Sequence, residues 1–240
     1  MNDPFSLSVP LNPDQLRIVE HLDGPALVIA GAGSGKTRVI TERVAHLIRT
    51  GTPASSILLL TFTNKAAKEM SLRAARQQGV DQEKQKILNG TFHSMASRFL
   101  RGYAKLIRYE NHFSILDASD SRDLIKASIA EVVGKPGRHF PKASVLSNVY
   151  SLAFNRQCNA ESIRAQPYVQ RTFNLEDLLL KDFPHLEEHS EALLAILKRY
   201  RQKKRVCQSM DFDDLLENWL ELLLGHGKGL TLKQHLNYIL

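Results

Sequence analysis

Residues 26–40, ALVIAGAGSGKTRVI, restrict the fold more than any other part of the chain. The run from Leu27 to Ala30 predicts a short buried strand, and the apolar residues after Lys36 recur with the spacing of a helix that Gly51 can end. A strand, a glycine-rich turn and a helix in direct succession are typical of an α/β sheet rather than of an all-helical or all-β fold.

The turn between that strand and helix reads AGAGSGKT and matches the pattern G-x-x-x-x-G-K-[ST] except at its first position, where Ala30 stands in place of Gly. Its glycines allow successive backbone N–H groups to turn towards one anion, and the helix N-terminus adds a favourable dipole. Lys36 is then placed to contact the β- and γ-phosphates of a nucleotide, and Thr37 to bind Mg²⁺ during phosphoryl transfer. The predicted phosphate-binding residues are Ala30, Gly31, Ala32, Gly33, Ser34, Gly35, Lys36 and Thr37.

Two further segments extend the α/β pattern. ILLLTF, residues 57–62, is a continuous apolar run that predicts a parallel strand covered on both faces, and a helical pattern follows from Asn64 to Gln78. ILNGTF, residues 87–92, predicts another strand with a helix behind it. The expected fold is a parallel sheet flanked by helices.

The α/β pattern is then interrupted. From about Asp120 to Arg205 the apolar spacing is helical almost throughout, broken only by GKPGRHFP, AQPY and DFPHL. Asp211 is predicted to cap a new apolar helix, and LNYIL at the end of the sequence predicts a strand. We expect a helical insertion at 111–207, with a start as early as 92, inside an α/β domain formed by 1–110 and 208–240.

Charge indicates a polyanionic partner. The net charge is +7 and the sequence pI about 9.4, and residues 36–108 hold fourteen Lys and Arg against four Asp and Glu. A second cluster, KRYRQKKR at 198–205, predicts a solvated helix face, with phosphate contact as the alternative. The sequence has neither an apolar run of the roughly 18 residues that a membrane span needs nor a signal-peptide pattern, so a cytoplasmic protein is expected.

Several segments occur in the order and spacing found in superfamily 1 DNA helicases: LNPDQ, AGAGSGKT, TFTNKAAKEM and GTFHS. The chain closely resembles the UvrD/Rep/PcrA group from about Leu11 to Phe99, and again at MDFDDLL, residues 210–216. This resemblance implies a P-loop, RecA-like domain with a helical insertion, and ATP with Mg²⁺ as cofactors. It also implies that Gln15 reads the adenine edge and that Arg38 lies near the adenine.

The resemblance further implies that single-stranded DNA crosses the carboxyl ends of two strands, where open α/β sheets place their binding crevice. Phe62 is a candidate platform for base stacking, the alternative being the last core residue of its strand. His93 is read as a DNA contact, the alternative being a packed histidine without catalytic function. The implied DNA-binding residues are Thr61, Phe62, Thr63, Asn64, Thr91, Phe92, His93 and Ser94.

In the resembled family the strand after the DFDDLL helix ends in Asp-Glu, whose carboxylates support Mg²⁺ and polarise the attacking water. This sequence stops at HLNYIL, before such a pair, and a second RecA-like domain lies outside it. We therefore expect the N-terminal part of a longer 3′–5′ helicase acting on single-stranded DNA and on junctions with duplex. The chain alone is expected to bind nucleotide weakly and not to unwind DNA. Its pathway, repair or replication, and its oligomeric state stay open.

Three other classes of protein share some of these sequence features. A GTPase shares the phosphate loop, but its guanine-reading N-K-x-D is not in the sequence. A non-catalytic nucleotide and single-strand-binding module also fits the basic surplus. The helicase subunit of a recombination helicase-nuclease would differ only in regions beyond these residues.

Overall fold

A computed structural model describes residues 10–22, 24–78, 87–155, 175–224 and 235–240. Its strands and α-helices are, in chain order, α1 Pro13–Glu20, α2 Lys36–Arg49, β1 Ile57–Thr61, α3 Asn64–Gln78, β2 Leu88–Thr91, α4 Phe92–Tyr103, β3 Ser114–Ile115, α5 Ala118–Val132, α6 Ala143–Asn155, α7 Leu175–Asp182, α8 Ser190–Val206, β4 Ser209–Met210, α9 Phe212–Leu224 and β5 Tyr238–Ile239. Short 3-10 helices cover Ala54–Ser56, Ala104–Ile107 and Pro184–His189.

These elements form two compact units. One comprises the described residues of Met1–Met95 and Leu223–Leu240, and the other is Ala96–Leu222. The first unit contains the parallel sheet and the second is mainly helical. The predicted domains, 1–110 with 208–240 and the insertion 111–207, stay a prediction.

The sheet of the first unit has the strand order β2-β1-β5, and both pairs are parallel. Thr61 and Thr91 are register partners, so β1 and β2 end side by side. The strand predicted within LNYIL is confirmed, because Leu240 donates its N–H to the Leu58 carbonyl at 2.9 Å and its carbonyl accepts from Leu60 N–H at 2.8 Å. One edge of this sheet therefore presents the ends of two neighbouring strands.

The core of the first unit lies between α2 and the sheet. Val44 and Leu47 of α2 are fully buried with Ile57 and Leu59 of β1, and each such side chain contributes roughly 1.5–3 kcal/mol by leaving water. Leu47 comes one turn after Val44 and Leu59 two positions after Ile57, the respective periods of a helix and a strand. This packing fixes the start of α2, and with it the glycine-rich loop, relative to β1.

The strand predicted at Leu27 to Ala30 is wrong. Residues 25–30 have no regular secondary structure, and Leu27 and Ile29 are 88% and 90% exposed. A buried strand needs backbone partners on a neighbouring strand, and in the described part of the sheet β5, not this segment, lies beside β1. An apolar composition alone cannot supply those partners.

The second unit buries a helical core contributed by α5, α6, α7 and α8. Its buried members are Ile125, Ile129, Ala143, Leu146, Val149, Tyr150, Leu178, Leu179, Leu186, Leu193, Ile196, Leu197 and Tyr200. α5 begins with a capping box in which the Asp117 side chain accepts from Ser119 N–H and Asp120 N–H. The helices predicted across this region are thus confirmed where the structure describes it, whereas the AQPY break lies outside the described residues.

The basic cluster at 198–205 is not the uniformly solvated face that its composition predicts. Lys204 is 1% exposed, and its ammonium lies 2.5 Å from Asp211 Oδ2 and 2.6 Å from Asp214 Oδ2. The Lys204 ammonium also lies over the rings of Tyr150 and Tyr200, 4.7 Å and 4.4 Å from their centroids. A buried ammonium needs such partners, because an unpaired charge in the core is strongly destabilising.

Asp211 caps α9 as predicted, and it also forms a reciprocal hydrogen-bonded pair with Asp214. Its Oδ1 accepts from Asp214 N–H at 2.8 Å, while Asp214 Oδ2 accepts from Asp211 N–H at 3.1 Å. Burial raises the pKa of Asp214 to about 6, Lys204 opposing this rise and Asp211 adding to it. Burial also disfavours the charge on Asp211, yet Lys204 and Tyr200 hold its pKa below the ordinary value. One buried cation thus faces two carboxylates.

Among the described residues, no helix is both long and apolar enough to cross a lipid bilayer.

Candidate functional site

The glycine-rich loop joins residue 30 to the first turn of α2. Gly33 and Gly35 have φ values of +76° and +83°, a region that side chains with a Cβ rarely occupy. Gly35 is the N-cap of α2, and its carbonyl accepts from Val39 N–H at 3.0 Å. Glycines at these two positions let the loop turn tightly enough to direct backbone N–H groups of a helix N-terminus towards one point.

The Lys36 ammonium lies against the loop itself. It donates to the carbonyl oxygens of Ala30 at 3.1 Å and Gly31 at 2.6 Å, and the side chain is exposed to solvent. In the described part of the chain Lys36 forms no ion pair with a carboxylate. A cation held only by neutral acceptors can exchange them for a phosphate at little cost.

Gln15 reaches this loop from α1. Its Nε2 donates to the Ser34 carbonyl at 3.1 Å, and its Oε1 accepts from Asn12 N–H at 3.0 Å in the capping box of α1. The predicted adenine-reading residue therefore also supports the phosphate loop. Arg38 is half-buried in the first turn of α2, and Thr37 beside it is exposed.

Two residues that sequence reasoning missed hold this arrangement in place. Arg43 is buried, and its Nη1 donates to the carbonyls of Ile18 at 2.7 Å and Val19 at 3.5 Å, so α2 binds the end of α1. Thr41, also buried, donates its hydroxyl to the Thr37 carbonyl at 2.7 Å. The sequence did contain a signal for Arg43. This residue lies four residues after Val39 and four before Leu47, so a charged residue falls within the buried apolar stripe of α2.

The predicted DNA-binding residues lie where β1 and β2 end side by side. Phe62 follows β1 directly and is 93% exposed, which rules out the alternative that it completes the strand's core. Phe92, 40% exposed, lies after β2, and the two ring centroids are 6.0 Å apart at an interplanar angle of 40°. Two exposed rings at one sheet edge are an unfavourable surface in water unless a ligand covers them.

Two of the threonines at this edge, Thr63 and Thr91, are helix caps. Thr63 Oγ1 accepts from Ala66 N–H at 3.2 Å at the start of α3, and Thr91 Oγ1 accepts from Ser94 N–H at 3.2 Å at the start of α4. Thr61 is buried and donates its hydroxyl to the Thr63 carbonyl at 2.9 Å. Two capped helix N-termini thus point at the same edge, and N-termini favour negative charge.

The remaining predicted residues surround these caps. Asn64 and Ser94 are exposed and His93 is half-buried. A cavity of about 280 Å³ opens between α3 and β2, and its polar lining includes Asn64, Lys68, Asn89 and Ser94. Amides, a hydroxyl and an ammonium are donors suited to a phosphodiester oxygen.

Gly90 was not singled out by the sequence analysis. A Cβ at this position would lie 2.6 Å from Ser94 Oγ and 3.0 Å from the Met95 side chain. The glycine therefore allows α4 to begin directly against the end of β2. No sequence signal distinguishes it from other glycines in turns.

The chain is similar to known DNA helicases. The chain matches the family described as UvrD/REP helicase N-terminal domain over residues 11–240. It is 33% identical over 213 residues to the ATP-dependent DNA helicase PcrA of Staphylococcus epidermidis, covering 88% of this chain and 26% of that protein. It is 35% identical over 215 residues to the ATP-dependent DNA helicase UvrD1 of Mycobacterium leprae, covering 89% and 25%.

The chain thus spans about a quarter of the length of these relatives. By the extent of the family match and the motifs described above, it belongs to the UvrD/REP helicase family, in the region of that family's N-terminal domain.

Proposed function

We propose that this chain is the N-terminal part of an ATP-dependent DNA helicase that moves 3′ to 5′ along single-stranded DNA and separates strands at junctions with duplex. The relatives that it matches are named ATP-dependent DNA helicases. In this proposal the unit with the parallel sheet is a P-loop, RecA-like domain, the helical unit is its insertion, and the protein acts in the cytoplasm in DNA repair or replication.

The observation that carries the proposal is the Lys36 ammonium, which rests on two carbonyls of the glycine-rich loop without a carboxylate partner among the described residues. Gly31, Ala32, Gly33 and Ser34 are all exposed around it, so an anion can reach the loop. Backbone N–H groups and Lys36 would hold the phosphates of ATP. Thr37 would ligate Mg²⁺, which supplies charge neutralisation during phosphoryl transfer.

Other residues near the loop would complete the nucleotide site. Gln15 would read the adenine edge while it supports Ser34, and Arg38 would lie near the base. The Ala30 carbonyl accepts a hydrogen bond from Lys36 and would help to position this ammonium. This chain would form one wall of the nucleotide cleft, with the other wall in a second RecA-like domain of the same polypeptide.

DNA would cross the edge where β1 and β2 end. Phe62 and Phe92 would stack on bases without reading their sequence. Thr63, Asn64, His93 and Ser94 would contact backbone phosphates near the two helix N-termini, while Thr61 and Thr91 shape the turns that present them. Such contacts suit a motor that must pass over any sequence.

The test is titration of the chain with a fluorescent ATP analogue and Mg²⁺, for wild type, Lys36→Ala and the matched control Lys105→Ala, whose lysine is exposed in the other unit. We expect weak binding by wild type and the control, and a loss of at least about tenfold for Lys36→Ala. Equal binding by Lys36→Ala would contradict the proposed role of the loop. We expect no unwinding by the chain alone.

A further inference from the structure

A cavity of about 500 Å³ lies in the helical unit, between α5, the loop that follows it and the start of α6. None of its lining residues belongs to the glycine-rich loop or to the ends of β1 and β2, because all of them fall between positions 122 and 144. Nothing in the proposed function uses it.

The floor of this cavity is apolar and fixed to the core. Ile129 and Ala143 are buried members of the helical core, and Phe140 packs against that core and against the His189 ring, whose centroid is 5.1 Å away. Pro136 and Pro141 form further walls, and proline restricts the backbone of the loop. The cavity is therefore preformed, and its apolar surface favours an apolar occupant.

The rim is cationic. Arg122 and Lys126 of α5 and Lys142 before α6 line the cavity, and no acidic residue is among the described residues that line it. Lys126 is held by Asp123 at 2.7 Å, whereas neither Arg122 nor Lys142 forms an ion pair within the described part of the chain. The loop from 134 to 142 adds Lys135 and Arg138 and contains no Asp or Glu.

A second acidic residue next to the lining in sequence, Glu131, follows Ala130 and is engaged elsewhere. Glu131 of α5 binds Arg199 at 2.6 Å and also pairs with Lys203, both on α8. The carboxylate therefore neutralises the cations of α8 rather than those of the cavity rim. A positive potential remains at the rim, where it can attract an acidic partner.

We propose that this cavity binds an acidic peptide segment of a partner protein, with one apolar or aromatic side chain seated in the cavity and flanking carboxylates on Arg122 and Lys142. A nucleic acid fits less well, because the aromatic residue of the lining, Phe140, is half-buried and packs against the helical core and the His189 ring, whereas base stacking needs an exposed ring. An amphipathic peptide uses both parts of the surface, its side chain on the floor and its charges on the rim.

The test is isothermal titration calorimetry of the whole 240-residue chain with the peptide acetyl-Glu-Asp-Phe-Asp-Glu-amide. Ala130→Glu places a carboxylate in the cavity mouth, since Ala130 lines it and is exposed. Ala127→Glu is the matched control, because Ala127 is an exposed residue of the same helix outside the lining and the change in charge is identical. Lys142→Glu reverses one rim charge on an exposed position.

We expect Ala130→Glu and Lys142→Glu to weaken peptide binding by about tenfold, and Ala127→Glu by less than about twofold. A peptide with glycine in place of phenylalanine should bind at least about tenfold more weakly, because the cavity stays unfilled. Lys36→Ala should leave peptide binding unchanged, which separates this site from the nucleotide loop.

Equal binding by Ala130→Glu and Ala127→Glu, or by the phenylalanine and glycine peptides, would overturn the proposal. It would also be overturned if a single-stranded oligothymidylate, rather than the peptide, lost affinity selectively in Ala130→Glu, since the surface would then bind nucleic acid. Thermal melting followed by circular dichroism establishes that all three glutamate variants are folded.

Discussion

Gln15 Nε2 donates to the carbonyl oxygen of Ser34 at 3.1 Å, across nineteen positions of sequence. The residue that family resemblance assigns to the adenine therefore supports the glycine-rich loop in the structure. The expected adenine contact and the support of the loop predict different consequences of removing the Gln15 side chain.

We predict that Gln15→Ala weakens binding of both an ATP analogue and inorganic tripolyphosphate. One lost hydrogen bond of about 1.4 kcal/mol corresponds to roughly tenfold in affinity. Competition against a fluorescent nucleotide measures both ligands. An effect on ATP alone would mean that the Gln15–Ser34 bond contributes nothing to phosphate binding.

Phe62→Ala should weaken binding of a single-stranded oligonucleotide without destabilising the chain, because its ring is 93% exposed. A stacking contribution of about 1–3 kcal/mol predicts a loss of roughly 5- to 150-fold. Fluorescence anisotropy measures the affinity, and its dependence on salt should stay unchanged because no charge is removed. Val206→Ala is the control, since Val206 is also a largely exposed apolar residue but lies on α8. Equal losses in both variants would contradict the assignment.

Gly90→Ala should destabilise the first unit by about 1–3 kcal/mol, because the new methyl group would lie 2.6 Å from Ser94 Oγ and 3.0 Å from the Met95 side chain. Gly102→Ala is the matched control: it lies in α4 with nothing within 4 Å of the added Cβ, and we expect a gain of up to about 1 kcal/mol. Urea unfolding followed by circular dichroism compares the two. A neutral Gly90→Ala would show that α4 can shift away from β2.

The buried pair of Asp211 and Asp214 predicts a dependence of stability on pH. Burial raises the pKa of Asp214 from an ordinary value of 3.8 to about 6. A raised pKa in the folded state means that the folded chain binds this proton more tightly than the unfolded chain. The stabilisation is therefore complete below about pH 4 and is lost as the pH rises to about 6.

Asp214→Asn removes this titration. We expect the free energy of unfolding of wild type, relative to the variant, to fall between pH 4 and about pH 6 and then to level off. Fluorescence of Trp219, the single tryptophan of the chain and a residue of α9, reports unfolding of this unit. Glu191→Gln, at an exposed position on α8, is the control. A relative stability that stays level or rises over this range would contradict the prediction.

Local sequence patterns predicted most of the regular elements. The helical spacing after Lys36 gives α2, the apolar run at 57–62 gives β1, and the acid at Asp211 gives the cap of α9. These predictions succeed because a helix period, a strand period and a cap are decided by neighbours in sequence. The prediction of a strand at Leu27 to Ala30 was wrong, because strand pairing depends on a partner strand elsewhere in the sequence.

The candidate functional sites were likewise predictable only where they depend on neighbours in sequence. The loop from Ala30 to Thr37 was predictable, because Gly33 and Gly35 have backbone angles that other residues rarely adopt and because its residues are consecutive. The support of that loop by Gln15 and the anchoring of α1 by Arg43 were not, since each depends on a contact between separate helices. The burial of Lys204 could not be predicted from its basic run either, because it depends on contacts with Asp211 and Asp214.

The sequence by itself therefore determined the family and most of the helices and strands, and it predicted a phosphate-binding loop, all of which depend on residue types at fixed spacing. Tertiary structure alone decided that Phe62 is exposed beside Phe92, that Lys204 is paired inside the core, and that the α5–α6 cavity is apolar with a cationic rim. Each of these depends on which surfaces packing removes from water, a property of the folded chain as a whole.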